Sequence, residues 1–433
     1  MNSHSVQAGR TGHRAPLMVN KNRLWGSLRE LALIGAYDDE ATGLQGVNRL
    51  ALTDEDAAAR NLVTSWMKAA GLEVRVDRMG NIFGRRAGRR DDLAPVMTGS
   101  HIDSVATAGA FDGCLGVLGA IEVIRSLEEN AVTTERPIEV AIFTEEEGVR
   151  FGTDMLGSAV AAGRLPLDYA YNLTDSSGRR LEDELERIGF KGEADVLTSP
   201  PHAYVECHIE QGPILTKEGF DVGVVTGVQA ISWLKLVFTG QAAHAGATPT
   251  PLRVDAGLAA AQTIVHAREL VDSGRYGELR ATAGGLTVTP GLPNVIPGSA
   301  EIVFDIRHPE TEQVSRAEAA LAEYVKTLSA AYPGLLVETS HMARTRDVPF
   351  DPRIQDSIAH SAEALGYRYR RLISGAGHDA QEIAALCPTA MVFVRGEYDG
   401  ISHNPREYSS PEACEQGVNV LARTLTTLAN GTD

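Results

Sequence analysis

The sequence predicts an α/β protein in which a larger domain with a mixed sheet is interrupted by an inserted α+β domain of the ferredoxin-like kind. Three observations predict it. Helix-like and strand-like stretches alternate from about residue 50 to 215. A strand–helix–strand–strand–helix–strand order then fills residues 228–343, and the first kind of pattern resumes after 344. Alternation of this sort favours a sheet that is at least partly parallel, while the βαββαβ order is that of the split ferredoxin-like unit. The expected boundaries are a disordered polar tail over 1–20, the larger domain over 21–227 and 344–433, and the insert over 228–343.

Thr53 followed by Asp54, Glu55 and Asp56 reads as a helix N-cap with acids in the first turn. Ala58, Leu62 and Trp66 continue at helical spacing, and Gly71 supplies the stop. Leu72, Val74 and Val76 alternate as a strand does. Pro95-Val96-Met97 runs into Gly99-Ser100-His101, a helix spans about Gly116 to Glu128, and strand Ile138–Phe143 ends in Glu145-Glu146-Glu147. Polar clusters at strand ends lie where open α/β sheets place their ligand crevice. In the insert the elements are Ser232–Thr239, Val254–Val271, Gly285–Thr289, Ala300–Arg307, Glu312–Ala330 and Leu335–Ser340. A helix near Ile354–Leu365, a strand Ala390–Val394 and a last helix from about Pro411 complete the chain.

The 433 residues are 43% hydrophobic and 22% charged, ordinary globular values. A formal charge of −17, from 40 basic and 57 acidic side chains, argues against nucleic acid and anionic membrane as partners. Cys114, Cys207, Cys387 and Cys414 stand apart without a CxxC pair, which fits a reducing, cytoplasmic setting and no thiolate metal site. The N-terminal segment lacks the apolar core of a signal peptide, and no apolar run is long enough to span a membrane.

Five metal-ligand candidates are spread over three hundred residues: His101 in GSHIDSV, Asp112 in GAFDGCLG, Glu147 in FTEEEGVRF, His208 in HIEQG and His403 in GISHNPRE. Imidazole and carboxylate suit zinc and its first-row neighbours, and a carboxylate can bridge two ions. A lone His or Asp is usually packing or solvated charge. Here each is expected just past an apolar strand, among glycines, where a polar side chain has little packing use. No GxSxG elbow, HExxH site or complete GxGxxG is present, and Cys114 and Cys207 lack the Glu and Lys of nitrilase-type thiol chemistry.

The ordered set GSHxDSV, DGxxG, EEGxRF, HIEQGP, GxxxHAGxTP, NVIPG, DxRH and GISHNPxE, covering about residues 25 to 430, resembles the M20 metallopeptidase clan. Within it the chain looks like the hydantoinase/carbamoylase subfamily of N-carbamoyl-L-amino acid hydrolases, metal-type β-ureidopropionases and allantoate amidohydrolases. The resemblance implies a di-metal hydrolase domain with an inserted lid and dimerisation domain, acting on the carbamoyl C–N bond of an N-carbamoyl-L-amino acid or, alternatively, on allantoate. It implies two divalent ions (Zn²⁺, or Mn²⁺, Co²⁺ or Ni²⁺). His101 and His208 would hold one, Glu147 and His403 the other, with Asp112 bridging. It makes Glu146 the general base and Asp103 the carboxylate that orients the first imidazole. His244 would donate to the oxyanion from the partner subunit of a homodimer formed through the insert. Arg307 would grip a substrate carboxylate with two parallel hydrogen bonds, and Gln211, Asn294 and Gly377 would complete the substrate site. Glu145 falls outside the base–ligand pair, and His378 is not counted as a ligand. The chain departs from the family pattern at Arg395-Gly396, where relatives often carry Pro-Ser. A peptidase of the wider clan fits HIEQGP and GISHNP less well, and a metal-binding homologue without activity would have no need of Glu146.

Overall fold

The structure, a computed structural model, describes residues 17–196 and 199–431 and divides into two compact units. The first comprises residues up to Val224, Asp351–Arg371 and the chain from His378 on; the second comprises Val225–Phe350 and Leu372–Gly377. Of the segment expected as a tail, residues 1–16 lie outside the described residues. Residues 17–20 lead into helix Lys21–Ala32, with Val19 buried and its N–H on Asn419 Oδ1 at 2.9 Å.

The sheet of the first unit is mixed, as the sequence predicts. Strands Thr389–Val394, Ala203–Ile209, Val96–His101 and Ile138–Phe143 lie side by side and parallel. Strands Ile82–Arg86 and Glu73–Val76 extend the sheet antiparallel. The parallel strands are buried on both faces, so their apolar residues fall on either side rather than alternating with solvent-facing ones. Helices Cys114–Glu129 and Pro411–Asn430 pack on this sheet and on each other. Because the strands run the same way, His101, His208 and the acids after Phe143 arrive at one edge of the sheet, its C-terminal edge.

Helix Asp54–Ala69 begins where the sequence places it, with Thr53 Oγ1 accepting the Asp56 N–H. Its inward face is displaced by one residue from the expected stripe. Ala59, Val63 and Met67 are buried, and Ala58 is exposed with Leu62 and Trp66 at the flank. The displacement follows from a buried ion pair one turn apart, Arg60 Nε to Asp56 Oδ2 at 2.7 Å, which occupies core space that a purely apolar reading assigns to solvent. Three short helices, Leu156–Ala161, Leu167–Tyr171 and Leu181–Arg187, surround a small apolar cluster that includes Met79, Leu156, Leu181 and Leu185.

The second unit has the expected βαββαβ order: Ala230–Thr239, helix Ala256–Asp272, Arg280–Thr289, Ser299–His308, helix Thr311–Ala331 and Leu336–Thr345. Its antiparallel sheet runs Arg280–Thr289, Ser299–His308, Ala230–Thr239, Leu336–Thr345. Strand Ser299–His308 shows the period of two: Ala300, Ile302, Phe304 and Ile306 enter the core beneath the two helices, while Asp305 and Arg307 share the opposite face. Strand Arg280–Thr289 starts five residues earlier than its pattern suggests. A register shift between Ala283 and Gly285 breaks the alternation there. No helix among the described residues is long and apolar enough to cross a membrane, and all four cysteines are free and buried.

Candidate metal centre

His101 is the last residue of strand Val96–His101, and His208 is the penultimate residue of Ala203–Ile209. Both therefore lie within their strands rather than just past them. Asp112 precedes a helix instead of following a strand, separated from it by Gly113 at φ 62°. A Cβ at Gly113 would stand 2.4 Å from His101 Nε2, so only glycine lets the helix start beneath that ring. His403, at φ 54°, sits in a loop well beyond strand Thr389–Val394.

These residues converge on Asp112. Its Oδ1 lies 3.0 Å from His208 Nε2 and 3.8 Å from His101 Nε2. Its Oδ2 lies 3.1 Å from His403 Nε2, which is itself 3.4 Å from Glu147 Oε2. One carboxylate thus faces two donor sets, His101–Asp112–His208 and Asp112–Glu147–His403. A further set, Glu206–His208–His378, shares His208.

The tautomers suit metal binding at Nε2. His101 Nδ1 is 3.0 Å from the Asp103 carbonyl and His208 Nδ1 is 2.9 Å from the Ile209 carbonyl. A carbonyl only accepts, so each Nδ1 carries a proton, and Nε2 is the nitrogen that would face a metal. The Gly113 N–H lies 3.2 Å from His208 Nε2.

Asp103 acts differently from the expected orienting carboxylate. Its backbone carbonyl holds the His101 ring, while its carboxylate is 3.9 Å from Nδ1. That carboxylate instead accepts the backbone N–H groups of Glu146 at 3.4 Å and Glu147 at 3.3 Å. The two-residue spacing brings the carbonyl closer to the ring than its own side chain.

Glu145 sits at φ 56° and accepts the N–H groups of Phe151 and Arg150 at 2.7 and 3.1 Å, so it closes the turn that follows. Glu146 is buried, with Oε2 3.6 Å from His101 Nε2. Glu147 points the other way, toward His403, and its Oε1 accepts the Val105 N–H.

The cluster is short of positive charge. Burial, then the neighbouring carboxylates Asp379, Glu147 and Asp112, push Glu146 well above the usual range. Burial and Asp112 do the same for Glu147. Asp112 is also penalised by burial, but hydrogen bonds from His208 and His403 outweigh that and hold it low. His208 rises to about 9, since Asp112 overcomes the burial that would lower it. Divalent cations held there would offset this repulsion and favour the ionised carboxylates.

Three further acids escaped the sequence reading. Glu206, within the apolar strand Ala203–Ile209, accepts from Ser100 Oγ at 2.7 Å and from the Ala380 N–H at 2.9 Å. Buried Asp379 accepts from Ser158 Oγ at 2.6 Å. Glu407 Oε1 accepts the N–H groups of Phe111 and Asp112, and its Oε2 accepts from Ser402 Oγ at 2.7 Å. Glu407 thereby ties the Asp112 loop to the His403 loop. A buried Glu inside an apolar strand was the available signal for Glu206; Glu407 had its motif, GISHNPRE, and was passed over.

Gln211 stands in the first unit at φ 54°, its Nε2 donating to Asp112 Oδ2 at 2.9 Å while its Oε1 has no partner among the described residues. Arg395 is paired with Asp221 at 3.3 Å. The other expected substrate residues belong to the second unit. His244 is exposed, and its Nδ1 accepts the N–H groups of Gly246 and Ala247 at 3.0 and 3.1 Å, which leaves the proton on Nε2. His244 pairs with Val295 across a two-stranded ladder, and just beyond it the Asn294 carbonyl accepts the Ala245 N–H. Arg307 places Nε and Nη2 on the two oxygens of Asp305 at 2.8 and 2.7 Å and Nη1 on the Gly375 carbonyl at 2.6 Å. Gly377 ends the segment that carries Gly375.

The sequence model for peptidase family M20/M25/M40 matches residues 97–427. The N-carbamoyl-L-amino-acid amidohydrolase of Rhizobium meliloti is 40% identical over 405 residues, covering 93% of this chain and 95% of that protein. The allantoate amidohydrolase of Bacillus subtilis is 34% identical over 411 residues, 94% of this chain and 98% of its own. Among solved structures, a hydantoinase/carbamoylase family amidase from Burkholderia multivorans superimposes with a TM-score of 0.91 at 45% identity, covering 96% of this chain and 100% of that one.

Proposed function

The chain belongs to peptidase family M20/M25/M40, and from that premise we propose that it is a metal-dependent amidohydrolase cleaving the carbamoyl C–N bond of N-carbamoyl-L-amino acids. The observation that carries the metal-dependent chemistry is Asp112, whose two oxygens face separate imidazole-bearing donor sets with Glu146 alongside. The choice of substrate draws on its relatives, several of which are N-carbamoyl-L-amino-acid amidohydrolases.

His101 and His208 would hold one divalent ion, Glu147 and His403 the other, and Asp112 both. When bound, such a pair supplies an activated water and a polarised carbonyl. Glu146 takes the water's proton as oxygen adds to the carbamoyl carbon, then returns it to the amino nitrogen as the C–N bond breaks. His244, with its proton on Nε2, is prepared to donate to the oxyanion. We assign His244 to the site of the partner subunit in a homodimer formed through the second unit. Arg307 takes the substrate carboxylate in the fork it now gives to Asp305, and we assign Gln211, Asn294 and Gly377 to substrate binding as well. Free buried cysteines support a cytoplasmic, reducing setting.

A substrate panel tests the reading: N-carbamoyl-L- and D-amino acids, N-carbamoyl-β-alanine, allantoate and N-acetyl amino acids, each with Zn²⁺, Mn²⁺, Co²⁺ or Ni²⁺. Turnover should be highest with an N-carbamoyl-L-amino acid and should vanish on chelation. Preference for allantoate would move the chain beside its Bacillus subtilis relative, and turnover that survives chelation would overturn the metal-dependent mechanism.

A further inference from the structure

Behind the donor sets lies a buried cation that the chemistry above does not use. Arg49 is 1% exposed, and among the described residues its guanidinium makes no hydrogen bond to a carboxylate. Nε donates to the Ile102 carbonyl at 2.7 Å, Nη1 to the carbonyls of Leu31 and Ile34 at 3.2 and 2.8 Å, and Nη2 to Cys114 Sγ at 3.1 Å. Leu31 and Ile34 belong to the end of helix Lys21–Ala32, where carbonyls lack intrahelical donors and carry the negative pole of the helix. That contact alone would make Arg49 a helix cap.

The other contacts point elsewhere. Ile102 is the residue between His101 and Asp103, and Cys114 is the first residue of the helix that begins two positions after Asp112. The backbone repeats the pattern: the Arg49 N–H donates to Ser104 Oγ and the Arg49 carbonyl accepts the Ser104 N–H, both at 2.9 Å. Val47 and Ala108 exchange two more backbone bonds. Residues 47–49 therefore line the floor of the loop that joins His101 to Asp112.

We propose that Arg49 is a positioning residue for the metal centre, its planar fork fixing the stretch that carries His101 against the helix start that carries Asp112. This rests on the metal-dependent reading given above. Lysine is a poor substitute, because one ammonium nitrogen cannot reach carbonyls and a thiol that lie around the edge of a flat guanidinium.

The test is Zn²⁺ affinity of the folded full-length protein, measured by chelator competition well below Tm. Arg49→Lys should weaken Zn²⁺ binding roughly 10- to 100-fold, the span found when outer partners of metal ligands are removed. The Zn²⁺ concentration for half-maximal activity should rise with it, and saturating Zn²⁺ should restore most of kcat. Ser104→Ala, which removes one hydrogen bond of the brace, should shift affinity in the same direction by less and keeps the test open if Arg49→Lys is unstable. Phe238→Leu, in the core of the second unit, controls for general damage: it should lower Tm and leave Zn²⁺ affinity unchanged. Wild-type protein that binds no Zn²⁺ would defeat the proposed function itself. Wild-type binding of two ions, with Arg49→Lys and Ser104→Ala equal to it, would reduce Arg49 to a helix cap and overturn this inference alone.

Discussion

His208 is buried with its ring against Asp112 and His378, whereas the His244 side chain is exposed and accepts two backbone N–H groups at its Nδ1. The same contrast separates the acids and bases of the two units. Asp103, Asp112, Glu146, Glu206, Asp379 and Glu407 are all buried in the first. In the second, Arg307 and Asp305 keep each other satisfied on a half-exposed sheet face. A buried carboxylate without a cation is expensive, while a surface pair costs little and contributes little. The first unit thus concentrates buried carboxylates that a bound cation would compensate. In the second, the Arg307–Asp305 pair is self-sufficient at the surface.

The largest effect should come from a single proton-accepting oxygen. Glu146→Gln keeps the size of the side chain and both donor sets, so metal content should stay at the wild-type value while kcat falls roughly 10²- to 10⁴-fold. Full turnover in this variant, with metal content confirmed, would remove Glu146 from the mechanism.

Metal removal should divide the units next. Exhaustive chelation leaves the acids around Asp112 uncompensated, so calorimetry should show the transition of the first unit moving down while that of the second stays. At an ion concentration a thousand times Kd the stabilisation lost is about 4 kcal/mol. Equal shifts in both transitions would break the contrast drawn above.

Arg307→Ala should be smaller again. Loss of a charged, two-pronged hydrogen bond corresponds to roughly a 10- to 100-fold rise in KM for carboxylate-bearing substrates. Tm should change little, since an exposed pair with Asp305 is what disappears from the free protein. An unchanged KM would show that Asp305 never releases the guanidinium.

Much of this arrangement was legible in the sequence, and the failures have physical causes. The alternation in Ser299–His308 and the cap at Thr53 are local, and each was readable from a few residues. Polar core residues were not. Asp56 and Arg60 look like solvent-facing helix positions, and only the fold shows them paired inside, so the apolar pattern places the buried stripe one residue off. Arg49 resembles an ordinary loop cation until Ile102 and Cys114 close around it. The approach of His403 to Asp112, 291 positions earlier in the chain, has no local signature at all; it came from the ordered motifs. The structure brings the five expected ligands together with Glu146, and their roles are the proposal to be tested.

The smallest prediction concerns a buried acid away from the donor sets. Asp77 accepts the backbone and side-chain N–H groups of Asn81, each at 2.9 Å, yet burial outweighs these bonds and lifts it to about 6 from an ordinary value of 3.8. The folded chain therefore holds a proton that the unfolded chain releases at lower pH. Its contribution to stability is fully present below about pH 4 and is lost as pH rises through about 6. One group can change stability by at most about 1.4 kcal/mol per pH unit, so the slope is shallow. Chemical denaturation of metal-free protein at several pH values should reveal it as a difference between wild type and Asp77→Asn. The variant should be less stable throughout, because its amide presents a donor to Asn81, but its stability should lack the fall between pH 4 and 6. Parallel profiles would mean that Asp77 stays ionised in the fold, and that the first unit tolerates an uncompensated buried acid after all.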